Sequence, residues 1–286
     1  MSRSKNHHYV PEAISKNFCV RDKTTFYTSK ESSGFSVNER NISSIFKRRH
    51  YNSYVQDDGS KDDSLERFFG IEFDNFIPQW TCNFGHVLSG KRAHLFDDES
   101  DRRRFIQFFY NHIRRTPDFI DPIVSSVTKE VFNGNFVEEF EDKHRPLSHE
   151  EKQRLHDPLF QELAAGNSRV ENIGKQTVHI LNTMANMQVV IATPSRENKQ
   201  FIVASNPVAR FEAYLKQPLG EPGVEMWTTL TPRIAVGIVQ NDKAQHVVSL
   251  PDKEMRKLNR QLTKSSRAIA GRSERLLRSL AMDSWR

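Results

Sequence analysis

The spacing of apolar residues changes partway along this chain, and the change limits the folds open to it. From Asp62 to Met187 the apolar side chains mostly recur at helical intervals. After Gln188 they gather into short β-rich runs separated by turn residues. The two periods together predict an α+β fold, mainly helical, with a small antiparallel sheet in the C-terminal third. No repeat of fixed period interrupts the pattern, and the length fits one large domain or two modest ones. Along the chain, 1–167 reads as an irregular and helical part, and 168–286 as a helix, the sheet and a final helix.

In detail, Asp62, Asp63 and Ser64 open a helix that Pro78 is expected to stop, with Leu65, Phe68, Phe69, Phe73 and Phe76 as its apolar stripe. A second helix runs from the Asp97–Asp101 acids to just before Pro117. A third covers Asp118 to Lys143, with Gly134 as an interruption. Arg145 to Asn167 reads as a connector with a helical piece, and Val170 to Met187 as another helix. Strands are expected at Gln188–Thr193, Gln200–Ala204 and Arg233–Val239, and a weaker one at Glu225–Leu230.

Composition excludes several classes. With 36% hydrophobic residues, including 20 Phe, the chain can bury a substantial core. No apolar run approaches the ~20 residues that cross a bilayer, and the start is polar and basic, unlike a secretory signal. Two cysteines, Cys19 and Cys82, cannot make a disulfide framework or a four-cysteine zinc site, which suits a reducing, cytoplasmic setting. No recognised phosphate-binding glycine loop occurs, so no nucleotide or organic cofactor is expected.

Charge is unevenly placed. Ten basic and four acidic residues between Asp252 and Arg286 account for the whole net charge of +6. Read as one helix from Asp252 to Ala281, about 45 Å long, the segment gathers Lys253, Lys257, Arg260, Lys264, Arg267, Arg275 and Arg278 within roughly 80° of arc. Met255, Leu258, Leu262, Ile269, Leu276 and Leu280 fall opposite. Such a ridge suits a nucleic-acid backbone or an acidic protein. The plainer reading is a solvated face, although solvated faces normally mix signs.

The most chemical-looking stretch is His7-His8-Tyr9-Val10-Pro11. With Asn41 and His50, spaced as Asn, eight residues, His, it resembles HNH endonucleases. That resemblance implies His8 as general base, His7 and His50 on a divalent metal (Mg or Mn), and Asn41 orienting the base. The structural alternative is that these histidines are surface or internally hydrogen-bonded groups.

End to end, the chain resembles the bacterial family called domain of unknown function 4238 (DUF4238). The residues that carry this are His8-Tyr9-Val10-Pro11, Leu65-Glu66, Arg115-Thr116-Pro117, the run from Phe201 to Val208, and Leu230-Thr231-Pro232. The resemblance implies one mixed α/β domain over residues 1–286 and no established activity. Arg115, at a helix end, can pair with carbonyls or a carboxylate, or bind phosphate. Glu72, on the apolar side of its helix, needs a partner, either a structural arginine or a catalytic role.

Three readings of function follow. The first is a nucleic-acid-binding protein that hydrolyses phosphodiesters with a divalent metal. The second is a non-enzymatic binding or regulatory module, of the kind carried in phage-defence or mobile-element cassettes, docking an acidic partner through its last helix. The third is a metal-free hydrolase or transferase in which Glu72 and Arg115 converge.

Overall fold

A computed structural model describes residues 5–132, 134–240 and 246–285. In chain order the N-terminal portion holds β1 (Asn6–His8), α1 (Glu12–Asn17), β2 (Thr24–Ser29), β3 (Asn38–Asn41), β4 (Lys47–Arg49), β5 (Tyr54–Val55) and β6 (Lys61–Asp62). Helices follow: α2 (Ser64–Glu72), α3 (Ile77–Leu88), α4 (Glu99–Arg114), α5 (Pro117–Val131), α6 (Gly134–Lys143), α7 (His149–Leu155), α8 (Pro158–Gly174) and α9 (Val178–Ala185). The remainder is β7 (Gln188–Pro194), β8 (Val203–Ala204), β9 (Val208–Phe211), β10 (Glu225–Thr231), β11 (Ile234–Val239), β12 (Val247–Leu250), α10 (Asp252–Lys264), β13 (Ala268–Gly271) and α11 (Glu274–Ser284). No described helix is long and apolar enough to cross a membrane, and both cysteines are free.

The α+β class stands, but the sheets differ from expectation. One sheet has the order β12-β7-β11-β10-β9, antiparallel except for β12, which runs parallel to β7. A second, antiparallel, has the order β3-β2-β13-β8 and joins both ends of the chain. Two short ribbons, β1-β4 and β5-β6, complete the set. The N-terminal portion is therefore less irregular than its composition suggests. The division at 167/168 falls inside α8, where no structural boundary lies.

Side chains of a strand alternate between faces, and here that alternation feeds two cores. On β7, Val189 and Ile191 join a core with helices α2 to α4, while Val190 and Ala192 join one with α10 and α11. On β11, Val236 and Ile238 face the first core and Ala235 and Val239 the second. All six residues of β11 are buried, so its sequence reads as a continuous apolar run.

Several helix boundaries move. Phe73 breaks the first predicted helix (φ −131°, ψ −57°), and Pro78 opens α3 where it was expected to stop a helix. A proline tolerates the first helical turn, because the amide it lacks would have no intrahelical acceptor there. Gly134 begins α6, as the predicted interruption near it implies. The segment read as one helix from Val170 divides at Lys175–Thr177 into α8 and α9.

The largest correction concerns the C-terminus, where the 45 Å rod does not exist. Lys264 ends α10, and Ala268–Gly271 become β13, an interior strand between β2 and β8. Ala268, Ile269 and Ala270 are buried there, and sheet pairing with both neighbours outweighs the helical continuity of the sequence. Ser273 then caps a new helix, α11, by accepting the Leu276 amide.

Gly237 lets β11 and β10 approach, since a Cβ at that position would lie 2.7 Å from the Trp227 ring. Gly237→Ala is expected to cost about 1–3 kcal/mol through overpacking. Urea unfolding measures this, and an unchanged midpoint would show that Trp227 has room to yield.

Candidate functional site

The β1-β4 ribbon pairs His7 with Arg48 and His8 with Lys47, so the two adjacent histidines point to opposite sides. His7 is fully buried, and its Nδ1 accepts the Asn52 amide at 3.0 Å. Its Nε2 lies 3.7 Å from Asp63 Oδ1, and its ring centre is 6.1 Å from that of His50. Ser53 donates to Asp63 at 2.6 Å, with His50 Nδ1 at 3.4 Å from the same hydroxyl. Nitrogen or oxygen atoms of His7, His50 and Asp63 all lie within 4.8 Å of one another, close enough to surround an ion.

The protonation pattern argues against that use. A metal-bound imidazole normally donates its outer N–H to a second group. The outer nitrogen of His7 instead accepts a backbone N–H, which leaves its proton on Nε2, facing Asp63. His50 and Asp63 present suitable atoms, but His7 as placed does not fit a metal. The trio is better described as a carboxylate–imidazole network.

Within electrostatic reach of His8 lies Arg115, at the C-terminal cap of α4 and 1% exposed. Its Nη1 donates to both oxygens of Asp74 at 3.0 and 3.2 Å, and its guanidinium sits 5.2 Å from the Phe69 ring centre. The Nε and Nη2 of Arg115 meet no acceptor among the described residues. Burial raises the Asp74 carboxyl, and Arg115 pulls it back down. Glu66 accepts from Asn52 Nδ2 at 2.7 Å; burial raises its pKa, opposed by Asn52, by Arg115 and by the His8 amide. His8 is held neutral: burial lowers it most, Glu12 opposes, and Lys47 and Arg115 add to the lowering. Its Nδ1 is buried without a partner among the described residues. One turn before Arg115, His112 stacks on Phe108 at 5.0 Å with both ring nitrogens unpartnered among the described residues, and burial drives its pKa far down.

A second knot adjoins this one. The Asp118 side chain, 3% exposed, accepts from the Ser205 hydroxyl and pairs with Arg267 at 3.2 Å. The Ser205 hydroxyl also receives the Arg267 and Ala268 amides, each at 3.0 Å. Tyr9 senses the charges of Asp118, Arg48 and Arg267, and burial raises its phenol so that it stays protonated. The strings around His8, Glu66, Arg115 and Ser205, up to 197 residues apart, therefore meet in one region. The Leu230 string serves the fold instead, its carbonyl accepting from Asn17.

Other predicted site residues lie elsewhere. Asn41 is exposed, and its side chain caps a short turn by accepting the Ser43 amide at 2.9 Å, so it orients no histidine. Asn52 fills that office for His7. Glu72 is exposed at the end of α2 and pairs with no arginine among the described residues; Asp74, beyond the break at Phe73, is the partner of Arg115. Glu72 and Arg115 thus do not form a shared catalytic pair.

The cationic ridge is likewise dispersed. Arg260 and Arg256 share Asp283, Lys257 lies 4.0 Å from Glu254, and Arg278 pairs with Glu274. Arg267 alone of the seven joins the knot beside Tyr9. Lys253, Lys264 and Arg275 form no ion pair among the described residues, and Arg286 lies outside those residues. A single edge of unbalanced charge is therefore absent among the described residues.

A family model described as a protein of unknown function, DUF4238, matches residues 6–275. No curated protein matches, and no solved structure does.

Two expectations follow from this geometry. Above pH 6.5 His112 is neutral whether folded or unfolded; below it only the unfolded chain takes up the proton readily, so stability falls as pH falls. His8 acts with the same sign. His112→Phe keeps the stack on Phe108 and is expected to reduce the slope between about pH 6.5 and 5 by up to about 1.4 kcal/mol per unit. Denaturant unfolding across that range measures it, and an unchanged slope would show that His112 is protonated in the fold. Separately, Mn²⁺ or Zn²⁺ is expected to move the unfolding midpoint by less than about 1 °C. A larger rise that Asp63→Asn abolishes would show that His7 turns to ligate.

Proposed function

The chain belongs to the DUF4238 family, and on that premise and the geometry of the Arg115 region we propose a hydrolase that cleaves phosphodiester bonds with its own acid and base groups. The carrying observation is Arg115, buried with two donor atoms that meet no acceptor among the described residues. Unpaired buried donors cost on the order of 1–3 kcal/mol, more when charged, so they call for a partner. A phosphoryl oxygen would supply the acceptors that Asp74 does not, and guanidinium geometry matches it.

The remaining groups suit the reaction. His8, neutral and with 19% of its side chain exposed, would take a proton from water. The water oxygen forms a bond to phosphorus as the bond to the leaving oxygen breaks. Arg115 balances the charge that builds on the phosphoryl oxygens. Glu66, its carboxyl favoured in the protonated form by burial, returns a proton to the leaving oxygen. Exposed Arg48 and Arg267, whose charges both reach Tyr9, would guide a polyanionic chain toward His8. Single-stranded nucleic acid is the substrate class these groups suit.

The Asp118–Ser205–Arg267 knot favours a second reading, a non-enzymatic binding module, because it gives Ser205, a residue of a family string, a structural task. One assay separates the two. Purified protein is expected to cleave single-stranded RNA or DNA, or bis(p-nitrophenyl) phosphate. His8→Ala should lower the rate by about 10²–10⁴-fold, and Asn41→Ala and Glu72→Ala should leave it unchanged. Folded protein without activity, or full activity in His8→Ala, would remove the hydrolytic reading.

A further inference from the structure

Among the described residues, three of the dispersed C-terminal cations, Lys253, Arg256 and Arg275, line a common space. A cleft of about 630 Å³ opens between the first turns of α10 and α11 and the turn at Asn198–Gln200. Lys199, Lys253, Arg256 and Arg275 line it, against a single acid, Asp252. That carboxylate is already divided between Arg196 at 3.3 Å and Lys199 at 3.7 Å. Arg256 is held by Asp283 at 2.5 Å, whereas Lys253 and Arg275 form no ion pair among the described residues. The floor is rigid: buried Asn259 donates to the Gln200 carbonyl at 3.0 Å and accepts the Ile202 amide at 3.3 Å, which fixes the turn to α10. Met255 and Leu276 supply apolar wall.

We propose that this cleft binds a compact, multiply phosphorylated ligand of nucleotide or polyphosphate size. The lining carries three more positive than negative charges, and the volume lies in the range of small-ligand sites. A phosphate group carries up to two charges on three acceptor oxygens, so a di- or triphosphate matches that excess in one small body. An acidic peptide brings one charge per residue and spreads it along an extended chain. The proposal is independent of the hydrolytic reading, since none of its residues belongs to the Arg115 region.

Inorganic tripolyphosphate is the probe, titrated calorimetrically into the whole protein. One ligand is expected to bind per chain, with affinity falling as sodium chloride rises from about 50 to about 300 mM. Lys253→Ala combined with Arg275→Ala, both exposed positions, should weaken binding at least about tenfold without moving the unfolding midpoint. Lys264→Ala, equally cationic but outside the cleft, should leave it unchanged. Absence of binding, binding untouched by the double variant, or equal affinity for hexaglutamate would each overturn the proposal.

Discussion

The pair between Arg115 and Asp74 is the constraint around which this molecule is organised. A guanidinium at 1% exposure sits in surroundings where an uncompensated charge is expensive. Removing one partner of such a pair costs on the order of 3–5 kcal/mol, because the other is left buried and alone. Asp74 compensates only one terminal nitrogen, Nη1. The aromatic face of Phe69 compensates part of the rest. The same cation lowers His8 and His112 and opposes the rise of Glu66. Burial is the largest cause at each of these groups, and the charge at the end of α4 adds to it at the two histidines and opposes it at Glu66.

That charge is held by elements distant in sequence. Asp118, three residues beyond Arg115, accepts from Ser205 and Arg267, which fastens α5 to the edge of the second sheet. β13 lies between β2 and β8 in that sheet, so the two ends of the chain close over the helices together. Insertion of β13 is also what disperses the C-terminal cations. It turns α11 back beside α10, so that Asp283 reaches Arg256 and Arg260. The cleft between the helices, with its excess of positive charge, is a product of the same turn.

Much of the local structure was legible. The strands at Gln188, Glu225 and Arg233, the helix ending before Pro117 and the break near Gly134 all follow from period and turn chemistry. Signals for the C-terminal break were present too, in Ser265-Ser266 and Gly271-Arg272-Ser273, but a helical wheel does not weigh them against cations that line up. Within the site, His7, His8, His50 and Arg115 stood out by residue type and position. Asn52 carried no signal, and Asp63 read simply as a helix-opening acid. Asp74 was hidden by assuming that the helix of Glu72 continued past Phe73, which the backbone at Phe73 forbids.

The sequence by itself determined the α+β class, most helices and strands, and the residues that the family strings mark, because short-range periodicity and turn preference act through neighbours in the chain. Only the tertiary structure decided which carboxylate met Arg115, which nitrogen of His7 kept its proton, and which cations kept no partner. Those outcomes depend on contacts between residues tens to hundreds of positions apart, as in Arg115 with Asp74 and Arg267 with Asp118. Such contacts form only when burial brings the groups together, and no local pattern encodes which groups will meet.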